Sequence, residues 1–170
     1  MSGVWSRHPS LPDDVRRRLD LRDRVLAAAA LHGDAGWAVA AEADLIVLLD
    51  AEVLRRPWCD VDKAAFDPQH GVVTVVWIDS APDLVLPLTD TVKSRLPQAI
   101  RERVEWSVVL GEEVPLPDGR SARVAVRREL SDPLFSQVLA DPGVDLDAPD
   151  VAGLVDAAEQ RVRSAAGLPA

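Results

Sequence analysis

Between Arg24 and Leu88 the chain is cut into short runs of β-branched, aliphatic and aromatic residues, each closed by turn-forming residues. That rhythm constrains the fold more than any other feature. Arg24–Leu31 runs into His32-Gly33-Asp34-Ala35-Gly36, and Trp37–Ala41 is separated from Leu45–Asp50 by Glu42-Ala43-Asp44. Pro57–Asp67 meets the turn Pro68-Gln69-His70-Gly71, Val72–Ile78 meets Asp79-Ser80-Ala81-Pro82, and Leu84–Leu88 closes the series. Runs of this length and spacing describe an antiparallel meander. Val25–Ala30 has helical propensity, but Gly33 and Gly36 supply a tight turn into the next run, so it is read as a strand.

The period changes near Pro97. Leu96, Ile100, Val104 and Val108 recur at helical spacing, Ala99, Trp106 and Leu110 widen the stripe, and Glu102 and Glu105 fall opposite. The spacing predicts an amphipathic helix over 96–110. Val114-Pro115-Leu116, the turn Pro117-Asp118-Gly119 and the runs Ala122–Leu130 and Phe135–Ala140 then read as an extra hairpin, with Val124 and Val126 alternating against Arg123 and Arg127 as on a half-exposed strand. A last helix is expected over Asp150–Ala166, with Val151, Leu154, Val155, Ala158 and Val162 on one face. Near the start, Pro12, Asp13 and Asp14 lead into a short helix over Val15–Leu21. The fold class is α+β. Three regions follow: 1–23 with a short helix, 24–110 as meander plus helix, and 111–170 as a hairpin and C-terminal helix packed on the same domain.

Composition narrows the function. With 170 residues, 48% of them hydrophobic, the chain can bury a real core. Its formal charge of −9 argues against nucleic acid, because such binders rely on Lys and Arg to neutralise phosphates. The first thirty residues run the other way, with six Arg against four Asp. Cys59 stands alone, which excludes an internal disulfide and a cysteine metal cage. No apolar run approaches the roughly 20 residues of a membrane span, and the N-terminus lacks the apolar stretch of a signal peptide. A cytoplasmic location is the expectation.

Several segments carry a likeness. Gly36-Trp37-Ala38-Val39-Ala40, Asp44-Leu45-Ile46-Val47, Arg56-Pro57-Trp58-Cys59-Asp60-Val61-Asp62-Lys63-Ala64, Phe66-Asp67, Gly71-Val72-Val73-Thr74-Val75 and Asp141-Pro142-Gly143-Val144-Asp145 do so. The stretch from Arg24 to Leu110 resembles a bacterial pleckstrin-homology-like (PH-like) domain. The whole chain is similar to a family of short, uncharacterised actinobacterial proteins. The resemblance implies a curved antiparallel meander of about seven strands, a partly open barrel closed at one end by an amphipathic helix. It implies a binding scaffold without an established reaction. Lipid-binding relatives carry Lys and Arg in the first hairpin loop, whereas His32-Gly33-Asp34-Ala35-Gly36 has neither, so phosphoinositide binding is not carried over.

Motifs that would bring chemistry are missing. His8, His32 and His70 lie in separate loops or ends, without metal-ligand spacing. Cys59, expected on a strand between Trp58 and Asp60, has no evident activating base. No serine elbow, Walker loop or dinucleotide fingerprint occurs. Catalytic, cofactor-binding and metal-binding residues are therefore assigned to none. An acidic tract (Glu129, Asp132, Asp141, Asp145, Asp147, Asp150, Asp156, Glu159) runs between Arg128 and Arg161, and Asp147 or Asp150 is expected to cap the last helix. Trp37, Trp58, Trp77 and Trp106 are expected in the core. The candidate interaction residues are Trp5, in a polar segment, and Arg16, Arg17 and Arg18. The leading reading is a non-catalytic interaction module with an unidentified protein partner. The alternatives are a small-molecule or lipid pocket between sheet and helix, and an enzyme built on paired carboxylates. Self-association is left open by the sequence.

Overall fold

The runs between Arg24 and Leu88 form strands in the computed structural model, which describes residues 11–33, 36–50, 52–131 and 133–169. After a short helix α1 (Asp13–Arg18) come β1 (Val25–Ala30), β2 (Trp37–Ala41), β3 (Asp44–Leu49) and β4 (Glu52–Pro57). A 3-10 turn at Trp58–Asp60 leads to β5 (Val61–Asp67), β6 (Val72–Trp77) and β7 (Leu84–Pro87). Next are α2 (Leu96–Ser107), β8 (Val108–Pro115), β9 (Ser121–Arg127), β10 (Phe135–Ala140) and α3 (Pro149–Ala165). Two compact units result, Met1–Val104 and Glu105–Ala170, dividing within the last turn of α2.

In the first unit β1-β2-β3-β4 make one antiparallel sheet and β5-β6-β7 another. Neither sheet closes into a barrel. A single bridge, Leu31 to Leu88, joins β1 and β7 beyond their ends. β6 alternates buried Val73, Val75 and Trp77 with half-buried neighbours, as a strand with one covered face should. β2 and β3 do not alternate: Ala38–Ala41 and Leu45–Leu48 are buried without interruption. Both faces of the four-stranded sheet are therefore covered. Ala29, Leu31, Ala38, Ala40, Leu45 and Val47 join Val73, Val75, Trp77, Leu86 and Leu88 of the second sheet in one cluster, with Leu96, Ala99 and Ile100 of α2. On the opposite face Leu11, Val15 and Leu19 pack against Val39, Ala41, Ile46 and Leu48.

The spacing of Leu11, Val15 and Leu19 is that of one helical stripe, so α1 seats on the sheet although six residues are too few to be helical alone. Arg55 of β4 holds its end, donating to the Leu19 carbonyl at 2.7 Å while facing Asp44 at 3.3 Å. Asp20, at φ 42°, then turns the chain away, so the helix ends three residues before the expected Leu21.

β1 carries a bulge between Val25 and Ala27. It breaks the two-residue alternation: Val25 and Ala28 pack against the outer cluster, while Leu26 and Ala27 both pack against the inner one. Gly71 closes the β5–β6 turn at φ 68°, and a Cβ there would stand 2.4 Å from the Thr91 methyl.

The second unit is a three-stranded sheet, β10-β9-β8, with α3 across one face. Val114, Ala122, Val124 and Val126 meet Val151, Val155, Ala158 and Val162 there. Two expectations are corrected here. The helix expected to reach Leu110 stops at Ser107, because Val108–Pro115 pairs with β9, and strand pairing satisfies the backbone of two adjacent valines better than a last helical turn. Arg127, expected on a half-exposed strand, is 1% exposed, and its neighbour along the strand, Ala125, is 2% exposed. β9 is the central strand, and Arg127 donates to the buried Ser107 hydroxyl at 3.2 Å. β4 has no counterpart among the apolar runs of the sequence, since Val53-Leu54-Arg55-Arg56 is a charged, largely exposed edge.

Ile100 is fully buried where both sheets of the first unit meet α2. Replacing it with alanine is expected to cost about 2–5 kcal/mol in urea denaturation of the full chain, and an unchanged midpoint would contradict the shared core.

Candidate functional site

Among the described residues, a cleft of about 230 Å³ opens in the first unit. Arg24, just before β1, lines it with Val25 and Leu26, and Arg95, just before α2, lines it with Gln98, Ala99 and Glu102 of the helix. The β1 bulge turns Leu26 toward the inner core, and Ala99 is 8% exposed, so the floor is apolar. The rim is polar. Arg24 and Arg95 are exposed, and neither guanidinium makes a hydrogen bond or ion pair among the described residues. Gln98 donates to Glu102 at 2.7 Å, one turn along the helix.

A second polar cluster serves the fold. Arg56, at the end of β4, grips both carboxylate oxygens of Asp79 at 3.3 and 2.8 Å and donates to Asp60 at 3.0 Å. Its guanidinium lies 4.4 Å from the Trp77 ring centre. The bidentate Arg56 hydrogen bonds, with the Ala81 amide as second donor, hold the Asp79 carboxyl below the ordinary aspartate value. Arg56 thereby ties the last strand of the first sheet to the β6 end of the second. The Arg56-Pro57-Trp58-Cys59-Asp60 segment thus has a structural explanation: Trp58, 1% exposed, also donates through Nε1 to the Ala41 carbonyl at 3.0 Å.

The residues singled out from sequence are dispersed. Trp5 and His8 lie outside the described residues. Arg16, Arg17 and Arg18 are exposed on α1 and do not converge: Arg17 folds back onto the Asp13 carbonyl at 3.3 Å and Arg18 reaches the Asp50 carbonyl at 3.0 Å. Cys59 sits in the 3-10 turn rather than on a strand, because Pro57 ends β4, and it is 2% exposed. Trp58 and Trp77 are core, but Trp37 is only half-buried on the α1 side, and Trp106 is half-buried with Arg128 5.0 Å from its ring.

Part of the acidic tract is taken up by local structure, and Asp132 lies outside the described residues. Asp141 accepts from the Ser121 amide at 2.7 Å and from its hydroxyl at 3.2 Å, and Asp145 accepts from the Asp147 amide at 3.0 Å. Glu159 receives the Ser136 hydroxyl. Neither Asp147 nor Asp150 caps α3. The residue before it is Ala148, Pro149 opens the helix, and Asp150 lies in the first turn, where its charge meets the helix dipole. His70 contacts Asp67 at 2.6 Å within its hairpin turn. Among the described residues no three His, Cys, Asp or Glu gather to hold a metal, and no helix is long and apolar enough to cross a membrane.

The cleft was not legible in the sequence, since Arg24 and Arg95 are far apart in the chain. The one signal was the local arginine excess before residue 30, and it pointed to α1 instead. Compared with family models, curated proteins and solved structures, the chain finds no match.

The Asp79 carboxyl is depressed in the folded state, so its contribution is present above the ordinary aspartate value of 3.8 and fades as pH falls through the folded value. The Asp79→Asn variant is expected to melt lower than wild type at neutral pH and to show a smaller loss on acidification below 3.8. Parallel melting curves with equal acid sensitivity would contradict the latch.

Proposed function

We propose that this chain is a non-catalytic protein-interaction module whose first unit is a PH-like scaffold. The element order supports the scaffold reading: four antiparallel strands, then three, then an amphipathic helix whose Leu96, Ala99 and Ile100 enter the core between the sheets. One observation carries the interaction reading. β1 is an edge strand, and beside it lies the cleft that α2 completes. Unpaired backbone along an edge is a ready template for an added strand, and a neighbouring cleft gives side-chain selectivity.

The cleft volume weighs against a small-molecule pocket there. Drug-sized ligands occupy roughly 300–1,000 Å³ and are mostly enclosed, whereas about 230 Å³ suits one or two side chains of a polypeptide. Among the described residues no tryptophan lines it.

A photo-crosslinking residue placed at Gln98 in the full chain, expressed in its native cells, tests this reading. A protein adduct of discrete mass is expected from Gln98 and not from the same residue placed at Glu52, on the β3–β4 hairpin. Equal labelling from both positions, or none from Gln98, would remove the support for an interaction module acting here.

A further inference from the structure

We propose that the cleft between β1 and α2 receives an acidic, extended segment of a partner protein, which lies along β1 with side-chain carboxylates against Arg24 and Arg95. This rests on the interaction reading above and specifies the partner's chemistry. The first support is the edge itself. Among the strands β1 pairs only with β2, and its far end is closed, where the Thr89 amide donates to the Ala30 carbonyl at 3.0 Å and the His32 amide to the Pro87 carbonyl at 2.7 Å. Among the described residues the near end, Val25 to Ala29, keeps one backbone edge without a strand partner, and its start borders the cleft.

Charge is the second support. Arg22, Arg55, Arg56, Arg120, Arg161 and Arg163 each hold a carboxylate of this chain. Arg24 and Arg95 hold none among the described residues, and they share one cleft in a chain of net charge −9. An excess of carboxylates elsewhere makes two uncommitted guanidiniums on the lining of one cleft a selective feature. Their planar forks match a carboxylate in two-point fashion. Glu102 also lines the cleft, but it accepts from Gln98 and stands two helical turns, about 10 Å, along α2 from Arg95.

The third support is the floor. Leu26 and Ala99 add a small apolar patch between the charged rims, against which an aliphatic side chain set between acidic ones would lie. An extended chain alternates its side chains in just this way, one toward the cleft and the next toward the rim. A free anion would leave both the floor and the β1 edge unused.

The test titrates isotope-labelled full chain with a nonapeptide alternating glutamate with valine and leucine, and with a matched peptide carrying lysine for glutamate. Inorganic phosphate and phosphatidylserine vesicles are run beside them. The acidic peptide is expected to move the amide signals of Val25–Ala29, Gln98 and Ala99. Its affinity should fall at least about tenfold in the Arg24→Glu/Arg95→Glu variant, and similarly when salt is raised from about 50 to about 500 mM. That variant should bind the lysine peptide instead. Both positions are exposed, so its dispersed spectrum confirms folding in the same experiment. Binding of the lysine peptide by wild type equal to the acidic one would overturn the acidic assignment and leave an interaction site standing. Phosphate producing the same shifts alone, or capture by the vesicles, would replace the peptide by a free anion or a membrane surface. No shift with any peptide, together with no adduct from Gln98, would sink both readings.

Discussion

The first unit depends on one apolar contact: the inner faces of two sheets close on each other only because α2 brings Leu96, Ala99 and Ile100 into the space between them. A three-stranded sheet with a single apolar face is marginal in water, and the four-stranded sheet cannot shield Val73, Val75, Trp77, Leu86 and Leu88 unaided. Everything on the periphery is arranged around that core. The 3-10 turn at Trp58–Asp60 carries the chain from one sheet to the other with Trp58 buried at the corner, and Arg56 clasps Asp60 and Asp79 outside it. The cleft exists because α2 enters the core beside the start of β1, where the bulge has already bent the strand.

Most arginines in this acidic chain stabilise geometry. Arg55 ends α1, Arg56 ties two sheets, and in the second unit Arg161 meets Glu112 across β8 and α3, while Arg163 meets Ser136 and Glu159. Exposed pairs of this kind are each worth little. Their value lies in orientation, since they pin short helices and strand ends that propensity would leave frayed. Arg16, Arg24 and Arg95 have no such partner among the described residues, and of the three only Arg24 and Arg95 line the cleft.

Sequence patterns revealed the elements whose side chains were sorted by one dominant environment. β2, β3, β6, β7, β10 and α3 could be read from short apolar runs or a helical stripe, within a residue or two at their ends. Failures arose where tertiary pairing decided. Glu52-Val53-Leu54-Arg55-Arg56 looks polar because β4 is an edge whose long side chains reach outward to partners. Val108 and Leu110 fit a helical stripe and a strand equally well, and only the β9 pairing decides between them. Arg127 reads as solvent-facing by alternation, yet it is buried against Ser107, a contact that no local pattern encodes. The cleft was beyond reach for the same reason: Arg24 and Arg95 become neighbours only after β1 and α2 are placed.

Native-state hydrogen exchange of the full chain examines the shared core most directly. If two sheets and α2 bury a common interior, the slowest amides of β2, β3 and β6 and of α2 around Ile100 should all open with one free energy and respond alike to added denaturant. If β6 and its neighbours instead open at distinctly lower free energy while β2 and β3 remain protected, the second sheet is an independent flap. The core described above would then not be what holds the unit together.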